Sequence, residues 1–115
     1  MSELTVQSTQ AQDATLLTLS GELDIAAAEP LSEAISAALD EAPPALVIDL
    51  APTTFVDSTG LSYLLAARRR ADEARTVLRI LAPAGSEARV IIDLAGVGPL
   101  LGLEDPAGRP APPGP

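Results

Sequence analysis

The chain contains no histidine, no cysteine, no tryptophan and no lysine, and its only aromatic residues are Phe55 and Tyr63. Without histidine there is neither a Ser-His-Asp triad nor an imidazole zinc site. Without cysteine there is no disulfide and no thiolate nucleophile, and without lysine there is no P-loop lysine and no Schiff base. Such a chain is better suited to being acted upon than to catalysing a reaction. We therefore expect no enzyme activity, no cofactor and no metal site.

Positive charge is also scarce, because seven arginines are outnumbered by sixteen acidic residues and the formal net charge is −9. This balance argues against nucleic acid or anionic lipid as a partner, since binding phosphates requires a dense positive surface. The first residues show no basic segment followed by an apolar stretch, and no apolar run approaches the roughly 20 residues that span a bilayer. The composition predicts a cytoplasmic protein that binds neither nucleic acid nor membrane.

Hydrophobic periodicity divides the chain into strands that alternate with helices. Strands are predicted over Leu4–Gln10, Ala14–Ser20, Ala45–Leu50 and Thr76–Leu81, and helices from about Ala27 up to Pro43, from Ser58 to about Ala74 and from Ser86 to Leu94. Residues 51–54 are predicted to be a connecting loop. The almost continuous apolar run at 45–50 is typical of a central strand covered on both faces.

This order of elements predicts a single α/β domain over residues 1–103. We expect a mixed, mostly parallel four-stranded sheet with an N-terminal hairpin and about three helices. Residues 104–115 contain five prolines and two glycines. Such a composition cannot form a packed element, so this segment is predicted to be a disordered tail.

The segment Phe55–Leu61, Phe-Val-Asp-Ser-Thr-Gly-Leu, is the most informative part of the sequence. It precedes an amphipathic helix, and either Asp57 or Ser58 could simply be the N-cap of that helix. The same position also suits a modification, because the N–H groups and positive dipole of a helix N-terminus tolerate a phosphate. A phosphate on Ser58 would add about −1.5 to −2 charge at one point of the surface.

A magnesium site is a separate possibility suggested by the acidic residues. Asp24, Asp49 and Asp57 could converge near strand ends, where α/β sheets often place sites. Nothing in the spacing of these three residues requires a metal.

Several segments, taken in order, resemble the STAS-domain family and, within it, the anti-sigma factor antagonists. The resemblance rests on the segments Leu19-Ser20-Gly21-Glu22-Leu23-Asp24, Val47-Ile48-Asp49-Leu50, Phe55-Val56-Asp57-Ser58-Thr59-Gly60-Leu61 and Leu94-Ala95-Gly96-Val97. Together they cover roughly residues 4–103. Members of the family usually finish with a further C-terminal helix, whereas the matching region of this chain is rich in proline.

The resemblance implies a non-catalytic regulator of transcription, of the kind used in stress responses and sporulation. Ser58 would be phosphorylated by an anti-sigma factor that is also a serine kinase, and Asp57 would be its supporting carboxylate. The unphosphorylated form would bind the kinase and free a sigma factor, and a serine phosphatase would restore it. Thr59, Gly60, Glu22 and Asp24 would belong to the docking face. The alternative is a STAS subunit that docks constantly in a stress-signalling scaffold or a lipid-transport complex.

Overall fold

A mixed sheet of six strands carries four α-helices in the computed structural model, which describes residues 3–105. The strands are β1 (Thr5–Gln10), β2 (Ala14–Leu23), β3 (Ala45–Asp49), β4 (Thr53–Val56), β5 (Val77–Leu81) and β6 (Leu103–Glu104). The helices are α1 (Ala28–Asp40), α2 (Ser58–Glu73), α3 (Glu87–Ala95) and the short α4 (Gly98–Leu101), and a 3₁₀ turn over Ile25–Ala27 precedes α1. The predicted α/β class is confirmed.

The long strand β2 organises the sheet. It pairs with β1 in an antiparallel hairpin and runs parallel to β3 along its first half, Ala14–Thr18. Its last residues, Gly21–Leu23, pair instead with β4. The main strand order is β1-β2-β3-β5-β6, and every pair beyond the hairpin in the described part of the chain is parallel. The predicted N-terminal hairpin and mostly parallel sheet are therefore confirmed.

The change of partner along β2 depends on the turn that follows β3. The backbone N–H of Ala51 donates to the Asp49 carboxylate at 2.9 Å, and the chain then doubles back. The hydroxyl of Thr53 is buried and donates to the Leu19 carbonyl of β2 at 2.7 Å. The register of the pairing between β2 and β4 shifts between Gly21 and Glu22. Gly21 accommodates this irregularity, because its φ of 104° is a backbone conformation that glycine adopts readily. β4 is thus attached to the end of β2.

Aliphatic side chains fill the core, as the scarcity of aromatic residues requires. Leu46, Val47 and Ile48 are consecutive in β3 and all buried. Because successive strand residues point to opposite faces, β3 is covered on both sides, as its apolar run predicts. The helices contribute apolar stripes at helical spacing, of which Leu31 and Ile35 in α1 are examples.

The helix boundaries follow local signals in the sequence. α1 begins close to the predicted Ala27, and Pro30 lies in its first turn, where the missing N–H removes no hydrogen bond within the helix. The Ser86 hydroxyl caps α3 by accepting from the Arg89 N–H at 3.3 Å. Gly96 ends that helix in the left-handed conformation, with φ of 74°, as predicted.

Some predictions about the strands were wrong. The count of four strands is too low, because residues 53–54, predicted to be in a loop, belong to β4. β2 continues past its predicted end at Ser20 to Leu23, so residues 21–23 also belong to the strand. Glu104, predicted to be in the disordered tail, lies in β6 and forms an ion pair with Arg79 at 3.1 Å. Residues 106–115, the rest of the predicted tail, lie outside the described residues.

The attachment of β4 can be tested with Thr53→Val, which preserves the shape of the side chain but removes its buried hydrogen bond to Leu19. A buried bond of this kind contributes about 1–2 kcal/mol, so thermal unfolding should shift down by about 4–10 °C. Thr54→Val is the matched control, because Thr54 is exposed on the same strand. Equal melting temperatures for the two variants would contradict this role of Thr53.

Candidate functional site

The N-terminus of α2 gives Asp57 and Ser58 different roles. Asp57 is the N-cap residue: its backbone is extended, and its Oδ1 accepts from the Gly60 N–H at 2.8 Å. Ser58 is the first helical residue and is exposed, and within residues 3–105 its hydroxyl has no hydrogen-bond partner. Of the two candidate caps that the sequence leaves open, Asp57 is the one used. The Ser58 hydroxyl is left free to react.

The first turn of α2 is pressed against the end of β2. A Cβ atom built on Gly60 would lie 2.0 Å from the carbonyl oxygen of Leu23 and 2.9 Å from its carbonyl carbon. The Asp57 N–H donates to the same carbonyl oxygen at 3.3 Å. Only glycine permits this approach, so Gly60, which is buried, fixes the position of the helix start.

A shallow groove of about 660 Å³ lies beside this helix start. Its acidic lining consists of Glu22, Asp24 and Asp57, and its apolar lining is supplied mainly by Ile25 and Phe55. Ile25 is 73% exposed and Phe55 is 43% exposed, which is unusual for large apolar side chains. The structure therefore joins three of the sequence-predicted site residues on one surface, which we call the acidic groove.

Each acidic residue of the groove is positioned by its own element. Glu22 lies in β2 directly opposite Phe55 of β4, so the pairing of these two strands fixes their spacing. Asp24 caps the 3₁₀ turn, and its Oδ1 accepts from the Ala26 N–H at 3.0 Å. Asp57 caps α2 from the other side. The groove is thus built where a strand pair and two helical N-termini meet.

The remaining hydroxyl groups near Ser58 are less available. Thr59 is half-buried and does not line the acidic groove. The Ser62 hydroxyl is exposed but donates to the Thr59 carbonyl one turn back, at 2.6 Å. Ser58 is therefore the unbonded, exposed hydroxyl of this turn.

Three residues of the groove, Ile25, Thr54 and Phe55, were not among the predicted site residues. Ile25 follows the Gly21–Asp24 segment, which is predicted only to lead into a helix, and Thr54 is predicted to be in a loop. The sequence feature that could have identified Ile25 as a surface residue is that it does not fall on the apolar stripe of α1. Thr54 becomes a groove residue only through the pairing of β4 with β2, which has no local signature.

The suggested magnesium site is not formed. Asp49 is engaged with the Ala51 N–H in its own turn, away from the groove lining. Throughout residues 3–105, no group of three acidic side chains has a spacing that could hold a metal ion. Asp24 and Asp57 are occupied as helix caps, so that hypothesis is wrong for this arrangement.

Comparison with known proteins agrees with this geometry. A family model described as "Mlab, STAS domain" matches residues 6–102. The chain belongs to the STAS-domain family. No curated protein matches the chain in sequence. Among residues 3–105, no helix has the length and apolar character needed to cross a membrane.

Solved structures of two anti-sigma factor antagonists and of a sulfate transporter family protein resemble the chain over most of its length. An anti-sigma factor antagonist from Mycobacterium paratuberculosis is 31% identical, with a TM-score of 0.76, and the match covers 90% of this chain and 86% of that one. Unphosphorylated SpoIIAA, also an anti-sigma factor antagonist, is 24% identical with a TM-score of 0.67, covering 88% and 87% of the two chains. A sulfate transporter family protein from Wolinella succinogenes shares the fold at 13% identity, with a TM-score of 0.68 and coverage of 87% and 84%.

Gly60→Ala tests the contact between α2 and β2. The added methyl group would overlap the Leu23 carbonyl, so the helix start must move, and we expect a loss of about 2 kcal/mol or more and a fall of about 10 °C or more in melting temperature. Gly98→Ala is the matched control, because a Cβ there meets its nearest atom only at 3.6 Å. If Gly60→Ala were as stable as Gly98→Ala, the close contact between Gly60 and the Leu23 carbonyl would be contradicted.

Proposed function

We propose that this STAS protein is an anti-sigma factor antagonist whose docking to an anti-sigma factor kinase is switched off by phosphorylation of Ser58. The observation that carries the proposal is the exposed, unbonded Ser58 hydroxyl at the start of α2. Ser58 is not among the residues that line the acidic groove, but it directly follows Asp57, which is. The similarity to solved anti-sigma factor antagonists supports it.

Ser58 has the properties of a phosphate acceptor. Its hydroxyl needs no hydrogen bond broken before it reacts, unlike that of Ser62. The positive end of the α2 dipole favours the negative charge of the product. The cap on Gly60 is supplied by Asp57, so a modified Ser58 leaves the first turn of the helix intact. In this proposal Asp57 acts chiefly by holding the turn that presents the serine.

The acidic groove has the chemistry of a docking surface. Its carboxylates, Glu22, Asp24 and Asp57, would attract a basic patch on the partner, and the exposed Ile25 and Phe55 offer an apolar anchor. Aromatic side chains such as Phe55 are enriched in interfaces, where they often carry much of the binding energy. The partner is therefore expected to present arginine or lysine beside an apolar pocket.

Phosphorylation would oppose docking through charge. A phosphate on Ser58 adds about −1.5 to −2 charge beside a surface that is already acidic, and covering it removes the new charge from water. Because Gly60 leaves no room between α2 and the Leu23 carbonyl, the helix start has little freedom to move in response. The switch would act by repulsion and desolvation at a fixed surface, until a serine phosphatase removes the phosphate.

Constant docking without phosphorylation is the alternative function. The family model that matches the chain is described by an Mlab STAS domain, and a sulfate transporter family protein shares the fold. In that case the groove would bind its partner and Ser58 would remain unmodified. The two proposals differ in whether a kinase acts on Ser58, so phosphorylation experiments separate them.

Incubation with the cognate anti-sigma factor kinase and ATP should add a single phosphate to Ser58. Mapping by mass spectrometry tests the site, and Ser58→Ala should accept none. Since Asp57 already caps the helix, Ser58→Ala should melt within about 2 °C of the native protein. Phosphate on Thr59 or Ser62 instead would contradict the assignment of the acceptor.

Binding to the same kinase should depend on the charge at Ser58. Ser58→Ala should bind as the native protein does, whereas Ser58→Glu should bind at least several-fold more weakly and fail to release the sigma factor. Isothermal titration calorimetry measures both, with Ser62→Glu as a control that places the same charge one turn further along α2. Equal affinity for the native, alanine and glutamate forms at position 58 would place Ser58 outside the interface and favour constant docking.

A further inference from the structure

A second groove lies between α1 and α2, apart from the acidic groove. It encloses about 280 Å³, and its floor is formed by Leu31 and Ile35 of α1 and by Ala66 and Ala67 of α2. The small alanine side chains leave this space open, whereas protein interiors are normally filled to crystal-like density. No residue lining it also lines the acidic groove, so an inference about this helix groove does not rest on the proposed function.

The two ends of this helix groove differ in polarity. At one end the Tyr63 ring lines the space, and its hydroxyl donates to the Ile25 carbonyl at 3.3 Å. Arg70 lies further along α2, together with Ser32 of α1. The Arg70 guanidinium donates to the Ser36 hydroxyl at 2.5 Å. The groove thus combines an apolar floor with a cationic group and a hydroxyl at its rim.

The charge on Arg70 is not neutralised within the described residues. Within residues 3–105, Arg79 pairs with Glu104 and Arg89 with Asp93, but no carboxylate pairs with Arg70. Arg68, Arg69 and Arg75 also form no ion pair within residues 3–105, but of these four arginines Arg70 is the one that lines the helix groove. A guanidinium that is half-buried beside apolar surface, with only a serine as partner, has donors left for a carboxylate.

We infer that the helix groove binds a small amphiphile with an apolar body and one anionic group, of the class of medium-chain fatty carboxylates. The apolar body would lie along Leu31, Ile35 and Ala66, and the carboxylate would accept from Arg70. At about 280 Å³ the groove is at the small end of the range of ligand pockets, about 300–1,000 Å³, which suits a small ligand. Small-molecule sites are typically apolar clefts with a few polar groups that fix orientation.

Titration of the full chain with sodium octanoate tests the inference. Amide shifts in the ¹H–¹⁵N NMR spectrum should saturate and should centre on α1 and α2 around the groove. Octanol, which lacks the anionic group, and acetate, which lacks the apolar body, should each bind at least about fivefold more weakly. Equal affinity for octanol and octanoate, or shifts centred elsewhere, would overturn the inference.

Two substitutions with matched controls separate the contributions of charge and space. Arg70→Gln should weaken octanoate binding about fivefold or more, whereas Arg69→Gln, which makes the same charge change on an exposed neighbour outside the groove, should not. Ala66→Leu should fill the groove and abolish binding while the melting temperature is kept, and Ala37→Leu on the exposed side of α1 should leave binding unchanged. If Arg70→Gln and Ala66→Leu both bound octanoate with the affinity of the native protein, the helix groove would not be the octanoate-binding site.

Discussion

The contact between Gly60 and the Leu23 carbonyl is the constraint on which the functional surface depends. It brings the start of α2 against the end of β2, closer than any other residue type at position 60 would allow. Asp57 reinforces it, because its N–H bonds to the same carbonyl while its carboxylate caps the helix. Ser58 is held at the surface as a consequence. The presentation of the serine is therefore a property of backbone packing.

The acidic groove depends on a second backbone device, the exchange of partners along β2. β3 pairs with the first half of β2, and β4 pairs with its last residues, Gly21–Leu23. This second pairing places Phe55 opposite Glu22. The buried bond from Thr53 to Leu19 secures the new strand. Apolar and acidic side chains are thereby interleaved on one exposed surface. Such a surface is suited to binding a basic partner, and added negative charge at its border would weaken that binding.

Much of the fold could be predicted because its signals are local. The apolar run at 45–50 predicted the doubly covered strand, and the helical spacing over 86–94 predicted α3 to within one residue at each end. The parts that could not be predicted depend on contacts between distant residues. β4 is short, half polar and stabilised by β2, more than thirty residues away in the case of Thr53 and Leu19. β6 has two residues and exists through its pairing with β5.

The candidate site shows the same division. The segment around Ser58 predicted a helix start and a surface hydroxyl, and both are present. The choice of Asp57 over Ser58 as the cap required coordinates, because both residue types are good N-caps. The exposure of Ile25 was not predicted either, since a large apolar residue next to a helix is usually assigned to the core.

The central claim is that one phosphate on Ser58 abolishes docking at a surface that otherwise stays the same. The most direct measurement is the affinity of the cognate anti-sigma factor kinase for the unmodified and the Ser58-phosphorylated protein, measured side by side by calorimetry. The account predicts a loss of about 2–5 kcal/mol on phosphorylation, or roughly 30-fold to several thousand-fold in affinity. Equal affinities for the two forms would contradict it.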